Sequence, residues 1–407
     1  MINFEESLEI IRKNVKTSNK NESINVEDSI LRVLSKDYKA MRNSPEHDKS
    51  SMDGIVILKK DLNKIQKFEL VGESKAGDHR SKSFKSGQAK LIYTGAPIPK
   101  SQKYIVIIKE NITKIKDKKI FISAKIDPLQ DNIRVKGSDY KKGEICLKKK
   151  RVLNVRLSSL AYSLDLKKIE VLKKPRVAII VTGNEIKNEL NLKGSINSSN
   201  TITIKNIVNF FGAKIIDIKF AKDTEKSILN AFDSLKKFDL VITSGGLSVG
   251  KYDLVKKSLL KRNLHMLFNK VAMKPGKPCA FGKFKNNSYF LGLPGNPVSC
   301  FIGSFTFVNL ILKSLLGINT TNLFNFSFSF SENYIPKNNN LTSFLRICNK
   351  KTKGRNYFKI SENQDSSLLS VLGNSDGIII RKPYAPAIRK GQKTKTIQFK
   401  ELENFYI

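Results

Sequence analysis

Phe238-Asp239-Leu240-Val241-Ile242-Thr243-Ser244-Gly245-Gly246-Leu247-Ser248-Val249-Gly250 is an apolar run that stops at paired glycines, the pattern of a buried strand leaving a sheet. Tyr252-Asp253-Leu254-Val255-Lys256-Lys257-Ser258-Leu259-Leu260 then sets apolar residues at helical spacing with Asp253 in the first turn, so the unit reads as strand, glycine loop, helix. A helix N-terminus reached through glycines offers unpaired backbone N–H groups and a positive dipole end to an anion.

Two further loops follow at short spacing. In Met273-Lys274-Pro275-Gly276-Lys277-Pro278, prolines stiffen the backbone between two lysines. In Phe290-Leu291-Gly292-Leu293-Pro294-Gly295-Asn296-Pro297-Val298-Ser299, a short apolar strand breaks at glycine and proline, and an apolar helix follows to about residue 312. Both suit an oxyanion, and neither carries an obvious nucleophile. Open parallel sheets bind ligands beyond the carboxyl ends of their strands, so the three loops are expected to share one crevice.

Upstream, Val177-Ala178-Ile179-Ile180-Val181 is a β-branched run of the kind buried on both faces of a parallel sheet, and it enters Thr182-Gly183-Asn184-Glu185. Asn197-Ser198-Ser199-Asn200 caps a helix over 202–211, a strand is expected over 213–220, and Asp223 opens another helix to about 235. Strand and helix in alternation make a doubly wound α/β unit whose strand-end loops carry Glu185, Asp223, Ser244, Ser248 and Asp253.

The chain opens with an amphipathic helix through Phe4, Leu8, Ile11 and Val15, and a second helix is expected from 26 to about 40. Residues 50–139 alternate short apolar runs with Gly, Asn and Lys, which suggests a small β domain with strands near 68–71, 105–108 and 120–124. Asp53 and Thr94 lie in its turns, where a plain turn role accounts for both. A polar connector spans 136–144 and a helix is expected over 157–166. Beyond Gly317, Phe326-Ser327-Phe328-Ser329-Phe330-Ser331 alternates with period two and begins a C-terminal β domain.

At 407 residues the chain has room for about two to four domains. Its most nearly apolar stretch, 301–312, is shorter than the roughly 20 residues that span a bilayer, and the first residues are acidic, so neither export nor a membrane span is expected. Cysteines 146, 279, 300 and 348 show no Cys-x-x-Cys spacing, and three scattered histidines give no triad or zinc pattern; a reducing cytoplasm fits. The net charge of +38 comes from lysines spread over the whole chain, which reads as compositional bias or as a field that captures a multiply charged anion. Lys148-Lys149-Lys150-Arg151 and Lys350-Lys351-Thr352-Lys353-Gly354-Arg355 lack interleaved aromatics, so no specific nucleic acid is expected.

Ser51-Met52-Asp53-Gly54, Thr94-Gly95-Ala96-Pro97, Thr243-Ser244-Gly245-Gly246-Leu247-Ser248-Val249-Gly250, Lys274-Pro275-Gly276-Lys277-Pro278 and Gly292-Leu293-Pro294-Gly295-Asn296-Pro297-Val298-Ser299 occur together and in order. The set resembles the MoeA family, the molybdopterin molybdenumtransferases whose eukaryotic relatives include gephyrin. The resemblance implies a multidomain α/β plus β chain. Its parts are a linking domain (1–45 and 140–174), an inserted β domain (46–139), a MogA-like doubly wound α/β domain (175–318) and a C-terminal β-barrel (319–407). It also implies a homodimer with a composite site, and insertion of molybdate into adenylylated molybdopterin with release of AMP, assisted by Mg²⁺. A molybdopterin adenylyltransferase would be the upstream donor.

By the same resemblance Lys274, Lys277, Pro278, Ser299 and Ser366 are molybdate positions, with Arg346 the cation nearest the family's barrel arginine, where this chain has Leu341. Thr182, Ser244, Gly245, Gly246, Ser248, Gly295 and Asn296 would hold the pterin phosphates, and Asp53 and Thr94 gain a role across the dimer. Glu185, Asp223 and Asp253, aided by Asp53 and Asp139, are hard oxygen ligands suited to Mg²⁺. Asn184 stands where the family often has Asp. Two other functions compete: a single-domain-type molybdopterin adenylyltransferase, which typically reads Gly-Gly-Thr-Gly at Gly245-Gly246-Leu247-Ser248, and a non-catalytic gephyrin-like scaffold.

Overall fold

The computed structural model describes residues 1–79, 81–116, 118–122, 125–183, 197–245, 254–352 and 354–399. The chain divides into two compact units, one of Met1–Ser35, Lys150–Asn154 and Lys168–Ile407, the other of Lys36–Lys149 and Val155–Lys167.

The first unit is built on a six-stranded sheet in the order Lys214–Ala221, Arg176–Thr182, Leu240–Ser244, Tyr289–Leu293, Ala280–Phe284, Leu264–Phe268. The first four strands run parallel and the last two antiparallel to their neighbours. Alternate residues of the apolar strands serve opposite faces. Val177, Ile179, Leu240, Ile242 and Leu291 pack with Ile204 and Val208, with Ile302 and with the N-terminal helix Phe4–Asn14; Ala178, Ile180, Val241 and Phe290 pack with Ile228, Val255 and Leu259. Each fully buried Val, Leu or Ile contributes about 1.5–3 kcal/mol.

The helix after the third loop runs from Pro297 to Leu315, 19 residues, with a π turn over Ser304–Val308. It is long and apolar enough to cross a bilayer, contrary to the length expected from sequence, and 83% of its most apolar 18-residue stretch is buried inside the protein. Its apolar surface is thus already covered by the sheet and the N-terminal helix, with its own Phe307 packed against Phe268 and Phe4.

Thr342–Thr352, Arg355–Ile360, Ser327–Ser331, Lys393–Gln398 and Gly377–Arg381 close into a five-stranded barrel, because Thr342–Thr352 pairs with both Arg355–Ile360 and Gly377–Arg381. Ile347, Phe358 and Ile379 fill it together with Ile335 and Ile388. Met273 and Lys274 join this sheet in parallel, opposite Thr342 and Ser343. The Ser327–Ser331 strand is turned inside out: Ser329 and Ser331 are 2% and 1% exposed, whereas Phe328 is 52% exposed.

The helix expected over 26–40 does not form. Val26–Asp28 makes one 3-10 turn, and Leu31 adopts φ 61°, which an α-helix excludes. The backbone bonds go sideways instead: Leu31 and Leu34 N–H donate to the carbonyls of Leu153 and Arg151, and Leu34 bridges to Val171. Burying the adjacent Val33 and Leu34 in this ladder overrides the helical spacing.

The second unit centres on a sheet in the order Tyr104–Ile108, Gly54–Leu58, Gln88–Ile92, Lys67–Ser74, Lys119–Ile122, Ile112–Lys116. It buries Ile55, Ile57, Phe68, Ile105 and Ile107 on one face and Val56, Leu58, Ile92, Tyr104 and Val106 on the other. A helix, Val155–Ser163, stands where 157–166 was expected.

Candidate functional site

At the carboxyl ends of Arg176–Thr182, Leu240–Ser244 and Tyr289–Leu293 the first unit opens a crevice of ≈ 1050 Å³. Thr182, Gly183, Ser244 and Gly245 form its floor, and Asn197, Ser198, Ser199 and Asn200 one wall. Lys274, Pro275, Gly276, Lys277 and Pro278 line another side with Gly295, Asn296, Pro297 and Ser299, and the barrel adds Leu341, Asn363, Gln364, Asp365 and Ser366. The described start of the first loop, Ser244 and Gly245, therefore meets the second and third loops here.

Local sterics explain two of the glycines. Gly245 sits at φ +90°, and a Cβ there would lie 2.5 Å from the Thr182 carbonyl oxygen, so only glycine lets the first loop leave its strand past Thr182. Gly276 at φ +112° turns the lysine loop over Met273, whose Cε would stand 2.9 Å from an added Cβ. Lys274 and Lys277 flank this turn with exposed side chains.

Two helix N-termini border the same space. Ser198 caps the Ser199–Phe210 helix by accepting from Thr201 N–H at 3.3 Å. The Pro297 helix begins after Asn296, whose side chain leaves the cap free and donates 2.9 Å to Ser366 Oγ on the barrel. The Ser366 carbonyl accepts Val298 N–H at 3.0 Å, so the barrel loop is fastened to the start of this helix, with Ser299 buried beside it.

Asn200, which the sequence marked only as part of a cap, ties the first loop to the third. Its Nδ2 donates to Ser244 Oγ at 2.9 Å and to the Gly295 carbonyl at 2.7 Å; the carbonyl acceptor identifies that atom as nitrogen. Its Oδ1 is buried with no partner among the described residues. The sequence signal was there in one respect, since a cap residue next to a glycine loop is close to whatever that loop holds. Ser244 is 2% exposed and lies against the Cys300 thiol, so its hydroxyl braces the loop. Burial pushes the Cys300 thiol up to about 12 and raises Cys279 as well, which keeps both protonated and unreactive at neutral pH.

Arg346 does not reach the crevice. It is 1% exposed, and its guanidinium donates to the carbonyls of Leu368, Asn363 and Asp365 at 3.2, 3.1 and 3.0 Å. Burial lowers its pKa, partly offset by Asp365. The expected anion ligand is instead the clamp that shapes the loop carrying Ser366, because burial in the barrel turns a guanidinium toward the nearest carbonyls. Leu341 lines the crevice with an apolar side chain.

Among the acids, Asp223 lines the crevice just ahead of the Thr224-capped helix Glu225–Asp233. Asp365 faces it too, its carboxyl held low by the Ser367 hydroxyl and N–H. Asp53 and Thr94 belong to the second unit and hold each other: the Asp53 carboxylate accepts Thr94 N–H at 2.7 Å and Oγ at 2.8 Å, which lowers its pKa. Asp139, in that unit, accepts from Ser44 Oγ at 3.3 Å. Asn184, Glu185, Gly246, Ser248 and Asp253 lie outside the described residues. Among the described residues, no group of three His, Cys, Asp or Glu could hold a metal ion.

The crevice thus combines two lysines, hydroxyls and helix N-termini, a donor set for tetrahedral oxyanions and phosphates, with no activated nucleophile of its own among the described residues.

The chain matches the sequence profile of the MoeA N-terminal region (domain I and II) over residues 2–164 and that of a probable molybdopterin binding domain over 178–313. It is 34% identical over 299 residues to a Haemophilus influenzae protein called molybdopterin molybdenumtransferase, covering 73% of either chain. A Staphylococcus epidermidis protein of the same name is 33% identical over 308 residues, covering 73% of this chain and 72% of the relative. The solved molybdopterin biosynthesis MoeA protein of Pyrococcus horikoshii shares the fold, with TM-score 0.81 at 23% identity over 98% of this chain and 100% of that one.

Proposed function

This chain belongs to the MoeA family, and from that premise we propose that it is a molybdopterin molybdenumtransferase of molybdenum-cofactor biosynthesis, inserting molybdate into adenylylated molybdopterin with release of AMP. The observation that carries this reading is the gathering of Lys274, Lys277, Ser299 and Ser366 on one crevice beside two helix N-termini. Both substrates are anions, and each of these groups lowers the cost of bringing a negative charge out of water.

Molybdate enters between Lys274 and Lys277, with Pro278 fixing the loop and the hydroxyls of Ser299 and Ser366 orienting its oxygens. Thr182, Gly245, Gly295 and Asn296 cradle the pterin phosphates on the floor, braced by Ser244 and Asn200. The dithiolene sulfurs of the substrate attack molybdenum, whose displaced oxygens leave as water, and a water attacks the pyrophosphate to release AMP, so the protein needs to supply only position and charge. Asp223, with Glu185 and Asp253, would hold Mg²⁺, which when bound neutralises charge on the phosphates as AMP leaves. Asp223 is the member of that set that the described crevice includes.

The reading extends to a cytoplasmic homodimer of four-domain chains, supplied by a molybdopterin adenylyltransferase. In it, Asp53 and Thr94 of one subunit complete the site of the other. Molybdate-dependent AMP release from adenylylated molybdopterin tests the activity, and adenylylation of molybdopterin from Mg-ATP would replace it with the adenylyltransferase reading. Mixing Asp53→Ala with Lys274→Ala protein tests the shared site: activity should return in the mixture, and its absence would put Asp53 and Lys274 in sites of one chain.

A further inference from the structure

The inside-out strand of the barrel bears on no step of molybdenum insertion. In a barrel whose interior is filled by Ile347, Phe358 and Ile379, Ser327–Ser331 spends its inward positions on serines that meet Thr396, Ser327 at 3.2 Å and Ser329 at 3.5 Å. Phe328 is 52% and the preceding Phe326 47% exposed, while Phe330 is half-buried. Burying such a ring is worth about 1.5–3 kcal/mol, so the outward placement of Phe326 and Phe328 leaves apolar area in water.

A cation from a neighbouring strand stands over each ring. Lys395 lies 5.8 Å from the Phe326 centroid, Lys393 4.9 Å from Phe328 and Arg355 5.7 Å from Phe330, which also packs 5.8 Å from Tyr357. Arg355 closes the very hairpin that, in sequence, is a basic run without aromatics; strand pairing of Phe330 with Tyr357 brings the aromatics to it. The acid at the margin is Glu332, 3.4 Å from Lys350.

We propose that this face, Phe326, Phe328, Phe330 and Tyr357 with Lys393, Lys395 and Arg355, binds single-stranded nucleic acid without sequence preference. Rings two residues apart on a strand are about 7 Å apart, a spacing at which an extended single strand can lay one base on each. The flexible lysine heads move from ring to phosphate as the base stacks. A second copy of the same face would oppose like charges, which disfavours self-association through it. The overall +38 charge adds long-range attraction for a polyanion.

The test is fluorescence anisotropy of the full chain with labelled oligothymidylate and with a duplex of equal length, over a salt series. The single strand should bind more tightly than the duplex, Phe328→Ala and Phe328→Leu should each weaken it about tenfold, and Lys393→Gln should flatten the logarithmic salt slope by about 0.7. Unchanged circular dichroism and molybdenum insertion in the Phe328 variants would show that the fold and the crevice are intact. Equal affinity of wild type and both Phe328 variants, or no preference for single strands, would overturn the proposal in favour of diffuse lysine charge. Two other results would also overturn it: loss of phosphatidylserine-vesicle binding in Phe328→Ala with oligonucleotide binding unchanged, or a fall in sedimenting mass.

Discussion

The two ends of the central sheet use the same charges for opposite purposes. At the amino ends, Arg176 grips Asp239 through its backbone N–H at 2.9 Å and through Nε and a terminal nitrogen at 3.2 and 3.0 Å, with Lys20 at 3.6 Å from the same carboxylate. At the carboxyl ends, Lys274 and Lys277 point into the crevice, and neither makes an ion pair among the described residues. One end consumes its cations on the fold; the other leaves two lysines without an acid partner among the described residues, as the proposed anion site requires. Arg346 is the instructive third case, since it lies on the carboxyl side yet is consumed by carbonyls.

Lys274→Ala and Lys277→Ala should break the contrast most severely. Each should slow molybdate-dependent AMP release by about a hundredfold or more, while thermal melting stays near that of the wild type because neither ammonium supports the fold. A melting temperature that falls with activity would mean these lysines are structural after all. Arg346→Met should do the reverse, costing about 3 kcal/mol in denaturant unfolding as three loop carbonyls lose their donor. Molybdate affinity measured by calorimetry should change much less than for the lysine variants.

Gly245→Ala sharpens the comparison by moving a floor without touching a charge. Left-handed backbone and the approach to Thr182 should cost about 2 kcal/mol of stability, with weaker pterin binding, whereas a neutral result would show that the loop relaxes freely. The smallest effect belongs to the amino end. Burial raises the Asp239 carboxyl, but the Arg176 hydrogen bonds outweigh it and hold the folded pKa below the usual range. Its contribution is therefore complete above the unfolded carboxylate pKa of about 3.9 and is lost as pH falls through the lower folded value. Asp239→Asn should cost about 1 kcal/mol at neutral pH, discounted for partial exposure, and the gap from wild type should close in acid.

Where burial and chain direction agree, the sequence could be read closely. The run Val177 to Val181 and the strand ending at Ser244 had one plausible fate each, and the glycines and prolines after them located the crevice. Residues 26–40 misled because helical spacing competes with a sideways ladder to 150–153 that no local pattern reveals. Arg346 was misplaced for a related reason: proximity in sequence to a barrel position says nothing about which face of the strand a side chain takes. The Phe-Ser alternation announced a strand, but which of its faces turns outward depends on strands more than twenty and sixty residues away in the chain. Asn200 was legible as a helix cap, and its double donation across two loops required coordinates.

The two-residue ladder of Met273 and Lys274 with Thr342 and Ser343 makes the barrel and the lysine loop parts of one linkage. Any rocking of the barrel hauls the Lys274 backbone with it, and the Ser366 fastenings pull on the third loop at the same moment. An oxyanion seated between those parts acts as a bolt, so its arrival should be felt as slower amide exchange along Thr342–Thr352, well beyond the atoms it touches.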